Sequence, residues 1–310
     1  MTTTLITHRA CLDHDPGPYH PECSERLRAV IDALEAEVFA PLWREEAPRA
    51  TVEQLSRVHP LKFVESVIAI RPEPGETVAL DGDTIMSEGS AEAALRAAGG
   101  AVRGVDAVME GSARTAFVAV RPPGHHAEPG RAMGFCLFNN VAVAALHARA
   151  QWGVQRVAVV DFDVHHGNGT QAMFAADKDL FYASSHQSPC YPGTGDVWER
   201  GVANNVINAP LRPRDGSAAF RAAWSEQILP ELDRFAPGLL IISAGFDAHK
   251  ADPLAQLRLE TEDYAWITDE LLAIADRHCG GRVVSVLEGG YDLNALAASA
   301  AVHVRALMRA

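Results

Sequence analysis

Six short runs of the chain are apolar almost without interruption: residues 3–8 (TTLITH), 115–121 (TAFVAVR), 156–163 (RVAVVDFD), 180–185 (LFYASS), 238–247 (GLLIISAGFD) and 282–290 (RVVSVLEGG). They are rich in β-branched residues, and most do not alternate apolar with polar. A strand with one wet face alternates; a strand buried on both faces, as in a parallel sheet, does not. Helical spacing fills the stretches between them. Residues 24–39 put Leu27, Val30, Ile31, Leu34 and Val38 on one stripe, with Ser24 as the expected N-cap. Residues 90–111 are alanine-rich and predict a helix interrupted at Gly99-Gly100, and 139–151 and 261–278 are helical as well. Alternating strands and helices predict a three-layer α/β/α sandwich with a mainly parallel central sheet. In such sheets ligands bind at the carboxyl ends of the strands.

Those ends carry unusual chemistry. Residues 115–120 lead into Arg121-Pro122-Pro123-Gly124-His125-His126. Residues 156–160 lead into Asp161, Asp163, His165 and His166, the run beginning at 238 into Phe246 and Asp247, and that beginning at 282 into Gly289, Gly290, Tyr291 and Asp292. Taken singly, an aspartate after a strand is a cap or turn residue, a His-His pair is a loop, and GNG is a turn. Four such ends converging on one pocket favour a site. If the extended backbone continued past Asp161, then Asp161, Asp163 and His165 would share a face at i, i+2, i+4. Two of them with Asp247 would make a three-donor metal site with open positions, as a catalytic ion needs. Two carboxylates and an imidazole suit Zn²⁺, Fe²⁺, Co²⁺ or Mn²⁺.

Composition narrows the classes. The 310 residues contain no repeat, low-complexity tract or clear linker, and predict one domain over 1–310. The hydrophobic fraction of 48% supports a large core. A net charge of −13 argues against a nucleic-acid partner and is compatible with a cationic substrate. Five cysteines, widely spaced and without a CxxC pair, read as reduced thiols. No signal-peptide pattern and no run of about 18 apolar residues is found, so a cytoplasmic protein with no membrane partner is expected. The alanine-rich helix faces fit core or interface alike, which leaves the oligomeric state open.

The segments RPPGHHA, MGFCLFNNVAVAA, DFDVHHGNGTQ, YPGTGD, SAGFDAHKADPLA and LEGGYD together resemble the histone deacetylase and acetylpolyamine amidohydrolase superfamily, which has an arginase-like fold. HPECSERL near the start resembles a divergent form of its N-terminal motif, altered at Cys23 and Ser24. The wording of AMGFCLFNN and HHGNGTQ is closer to the class II and bacterial deacetylase-like branch than to class I. The resemblance implies Asp163, His165 and Asp247 as ligands of a catalytic zinc ion, His126 as general base and acid, His125 as its electrostatic partner, and Asp161 as the carboxylate that orients His125. It places Asn168 behind His126, where class I enzymes have an aspartate; the lost charge should lower the basicity of His126. It implies Tyr291 as the phenol that polarises the carbonyl, on a Gly-Gly hinge. Gly134, Phe135 and Tyr191 would wall the channel for the substrate's stem. A structural K⁺ would lie among Asp161, Asp163, His165 and Ser184.

The chemistry would be amide hydrolysis: an ion polarises the carbonyl and acidifies water, and His126 moves the proton. An acylated lysine peptide or protein is the expected partner, because Leu254 stands where a gatekeeper glutamate would favour polyamines. A small acetylated amine is the alternative, with Asp83 as a possible rim acid. An arginase-like two-metal site is disfavoured by His249 and Lys250 after Asp247; His249 reads as a solvated loop residue. A non-catalytic acyl-lysine binding module would need a broken site, whereas His126, Tyr291 and all three ligands are present.

Overall fold

The computed structural model describes residues 2–310. Among these, eight strands form one sheet: β1 (Thr3–Thr7), β2 (Trp43–Glu46), β5 (Thr115–Val118), β6 (Val157–Asp161), β7 (Leu180–Gln187), β8 (Val206–Leu211), β9 (Leu239–Ala244) and β10 (Val283–Leu287). A separate antiparallel hairpin joins β3 (Val78–Ala79) and β4 (Ile85–Met86). The large sheet has the order β2-β1-β5-β10-β9-β6-β7-β8, and every pair in it is parallel. Helices flank it in the expected three-layer arrangement. Helices Ser90–Glu110 and Asn140–Trp152 pack on each other, as do Thr261–Cys279 and Leu293–Leu307, with Ser24–Ala33 against the last of these. Strands β5, β6, β9 and β10 are buried along their whole length, which explains their unbroken apolar character.

The four strands whose ends were singled out are the four contiguous central strands, β5-β10-β9-β6. The sequence patterns missed the two edges. β2 reads WREE and is mostly exposed, and β8 contains Pro210, which an edge strand tolerates.

Three local expectations need correction. The first helix stops at Ala33, with a short 3₁₀ turn at Glu37–Phe39, so Val38 lies exposed outside the stripe. Its N-cap is Cys23, and Ser24 is the first helical residue, its hydroxyl turned to Glu25. Gly99-Gly100 does not break the second helix, which runs unbroken from Ser90 to Glu110. A Cβ on Gly99 would lie 2.0 Å from the Pro48 carbonyl oxygen, so this glycine permits a close approach of chain to helix.

Candidate active site

β6 ends at Asp161, and the next residues leave the sheet in an irregular path. The predicted common face for Asp161, Asp163 and His165 therefore does not form. Asp163 and His165 turn toward Asp247, which lies just beyond β9, and one ligand atom from each of the three lies within 4.8 Å of the others. His165 Nδ1 is 3.2 Å from Asp163 Oδ1 and 3.2 Å from Asp247 Oδ2. The second carboxylate oxygens are held by backbone: Gly289 N–H donates to Asp163 Oδ2 (2.9 Å) and Val164 N–H to Asp247 Oδ1 (2.8 Å). Gly289 must be glycine here, since a Cβ would sit 2.2 Å from Asp247 Oδ2.

The electrostatics of this cluster fit a cation. Burial and the neighbouring Asp163 charge push the Asp247 carboxyl up to about 7. Burial opposes charge on His165 as well, but Asp163 and Asp247 outweigh it and hold the imidazole pKa well above its ordinary value. The group is short of positive charge and compensates by retaining protons. A divalent ion would replace them and accept all three donors, which are one imidazole nitrogen and two carboxylates. Among the described residues no second cluster of three or more such donors occurs. Lys250 pairs with Glu260 at 2.6 Å, and His249 is buried, not solvated, accepting the Ala251 N–H at 3.2 Å.

Asp161 serves the neighbouring histidine instead. Its Oδ2 accepts from His125 Nδ1 (2.9 Å) and from the Tyr182 hydroxyl (3.2 Å), and its Oδ1 accepts from Asp163 N–H (3.1 Å). Burial works against a charged His125, but Asp163 and Asp161 prevail and raise it to about 10. His126 differs sharply, although the two rings are 4.0 Å apart. Burial, then the charges of His125 and His165, drive its pKa well below the ordinary value. Its Nδ1–H donates to Asn168 Oδ1 at 2.8 Å, leaving the Nε2 lone pair available. Asn168 in turn donates to Glu128 Oε1 at 2.9 Å, which fixes the amide with its oxygen toward His126. A carboxylate thus stands behind His126 after all, one residue further back than an aspartate at 168 would be.

His126 and His165 open into a cavity of about 200 Å³ lined also by Asp83, Gly134, Phe135, Tyr191, Leu254 and Tyr291. Gly134, Phe135 and Tyr191, expected to wall the channel, line it, and so does Leu254. Gly134 adopts φ +56°, and a Cβ there would strike the His126 ring at 2.5 Å. The Phe135 ring meets Tyr291 edge-on at 5.8 Å, and Tyr191 meets His126 at 5.1 Å. Burial raises the Tyr291 phenol well above its ordinary value, so it remains a hydrogen-bond donor. Ser184 is the register partner of Asp161 across β6 and β7, and its hydroxyl meets His186 Nδ1 at 2.9 Å. His166 points away from the cavity, to Thr194 and Gln171.

Several supporting residues escaped sequence reasoning. The Arg26 guanidinium lies 4.7 Å from the Tyr291 ring centre and donates to the carbonyls of Glu288 and Gly290, both at 2.5 Å. Glu22 holds Arg26 at 2.8 Å and Arg121 at 2.7 Å. Asp252 accepts the Tyr291 N–H at 2.7 Å. Glu22 and Arg26 lie inside HPECSERL, which marked the segment without giving their task.

His165 of the donor group, the buried His126 and the Tyr291 phenol thus line one cavity at the carboxyl end of a parallel sheet, an arrangement suited to hydrolytic chemistry. The chain belongs to the histone deacetylase family: the model of the Histone deacetylase domain matches residues 20–307. A histone deacetylase-like amidohydrolase of Pseudomonas aeruginosa is 42% identical over 315 residues, covering 94% of this chain and 82% of that protein. The chloroplastic histone deacetylase 14 of Arabidopsis thaliana is 39% identical, covering 96% and 75%. The crystal structure of the HDA15 HD domain superposes with a TM-score of 0.93 at 36% identity, covering 99% of this chain and 88% of that one. Family membership makes the protein an enzyme of the amide-hydrolysing, deacetylase type. No helix among the described residues is long and apolar enough to cross a membrane.

Proposed function

We propose that the protein removes acetyl or other short acyl groups from acylated lysine side chains, with the whole chain acting as one catalytic unit. The observation that carries this reading is the convergence of His126, Tyr291 and His165, the last grouped with Asp163 and Asp247 behind it, on one cavity of about 200 Å³ with an apolar rim at Leu254. A divalent ion held by those three donors, zinc in this reading with Fe²⁺, Co²⁺ or Mn²⁺ suiting them as well, supplies Lewis-acid polarisation of the amide carbonyl and acidifies water. The remaining work belongs to the chain. His126, neutral and with Nδ1 engaged by Asn168, takes the proton of the attacking water at Nε2. It returns that proton to the amine nitrogen as the C–N bond breaks; the remaining acid proton passes to the amine, so a carboxylate and an ammonium leave. His125, tied to Asp161, holds positive charge beside this step. The Tyr291 phenol donates to the oxygen on which negative charge develops. Gly134, Phe135 and Tyr191 exclude water around the substrate's methylene stem. A structural K⁺ belongs near Asp161, Asp163, His165 and Ser184 in the same reading.

Asp83 favours a second reading. It is partly buried in the wall of the cavity that Leu254 also lines, and Asp81 beside it adds negative charge. That pair suits the free ammonium of a small acetylated diamine. The comparison that decides is kcat/KM of the zinc-loaded protein for an acetyl-lysine peptide against N-acetylputrescine. A peptide preference is expected, and a preference for the diamine moves the assignment to the second reading.

A further inference from the structure

Glu288 takes no part in the cation cluster, yet it is wholly buried where the histidine segment meets the Tyr291 segment. A carboxyl group in dry surroundings persists only if it is well bonded. Its Oε2 accepts two successive backbone N–H groups, Gly124 at 2.6 Å and His125 at 3.2 Å. Its Oε1 accepts the Ser243 hydroxyl at 3.3 Å. The backbone of Glu288 is itself fixed, because its N–H donates to the Ala244 carbonyl at 2.9 Å and its carbonyl accepts from Arg26. One residue at the end of β10 therefore grips the turn that comes after β5. Two neighbouring N–H groups converging on one oxygen set the rotation of that turn, and His126 is the next residue along.

We propose that Glu288 is a positioning residue for this hydrolase: by binding Gly124 and His125 N–H it sets where His126 Nε2 stands relative to the donor cluster and to Tyr291. The inference rests on His126 as the proton acceptor. A displacement of about 1 Å in such a group costs on the order of 100-fold in rate. Glutamine keeps the size and one good acceptor, and its NH₂ can donate to the Ser243 hydroxyl, so Glu288→Gln should preserve the clamp. Alanine leaves both N–H groups buried without a partner.

The test measures kcat, KM, bound metal and hydrogen exchange of the Gly124 and His125 amides in the full-length wild type, Glu288→Gln and Glu288→Ala. Glu288→Ala should lower kcat about 100-fold, leave KM and metal content close to wild type, and lose protection at both amides. Glu288→Gln should keep both amides protected and stay within about tenfold of wild-type kcat. Unchanged kcat in Glu288→Ala, a loss confined to KM, or equal losses in the two variants would each overturn the proposal. If Glu288→Ala does not fold, Glu288→Asp decides: it keeps the charge but withdraws the oxygens by one methylene, and kcat at or above that of Glu288→Gln overturns positioning. If wild type hydrolyses neither acetyl-lysine peptide nor N-acetylputrescine, the substrate reading fails, and equal protection of the two amides in wild type and Glu288→Ala would still overturn the clamp.

Discussion

Two buried clusters of ionisable groups stand close together in this protein, and their charges are balanced in opposite ways. In the first, Glu22 accepts from Arg121, from Arg26 and, at 3.2 Å, from His14. Burial alone would raise its carboxyl, but Arg121 with His14 and Arg26 holds it well below the ordinary value. That cluster is complete in itself. In the second, Asp163 and Asp247 share the His165 imidazole, with His125 Nε2 a further 3.8 Å from Asp163 Oδ2, and Asp247 still stays near 7. The incomplete cluster faces the cavity and the complete one lies behind Tyr291. Burial of charge alone therefore does not mark a site; a buried set short of countercharge and open to a cavity does.

Substitutions can break this contrast. Asp247→Asn should abolish both metal retention and turnover, measured by elemental analysis and acetate release, because the cluster then has too little charge to hold the ion. Tyr291→Phe and His126→Ala should each lower turnover about 100- to 1000-fold with the ion still bound; loss of metal in either variant would contradict their assigned roles. Glu22→Ala should leave metal content per folded chain unchanged but lower stability by about 3–5 kcal/mol in denaturant titration, since it strands two buried arginines.

A subtler test uses the sign of the pH dependence. Glu22 has a lowered pKa in the folded state, so its contribution is present above the unfolded carboxyl value and is lost as pH falls. Asp247 has a folded value raised from 3.8 to about 7, and His165 is raised too. Their contribution to the metal-free protein is therefore present at low pH and declines as pH rises through about 4 to 7 for Asp247 and higher for His165. Zinc needs both deprotonated, so the rise in melting temperature on adding zinc should be larger at pH 8 than at pH 5. An equal rise at both would mean that the ion binds elsewhere.

The central strands were legible because burial on both faces writes an apolar run; the residues just past such runs pointed to a donor group around Asp247, and only the family resemblance chose Asp163 and His165 to complete it. Asp161 shows the limit: spacing alone grouped it with Asp163, but the strand stops there and the side chain goes to His125. Glu128 and Glu288 were not read because one reaches a side-chain amide and the other backbone N–H groups, and neither arrangement imposes a residue spacing. β2 was missed because an exposed edge strand is under no demand to be apolar, and β8, although mostly buried, because Asn208 and Pro210 interrupt its apolar run.

The strand order has a consequence for assembly. β10, late in the chain, inserts between β5 and β9. Without it the strand ladder would be two separate halves, β2-β1-β5 and β9-β6-β7-β8. All three cation donors come after strands of one half, whereas His125 and His126 come after a strand of the other. Side-chain bonds such as His125–Asp161 and the packing of the helices also tie these halves, but β10 alone closes the strand ladder and brings Glu288 and Tyr291 with it, so the site is complete only when the last strand of the chain is in place.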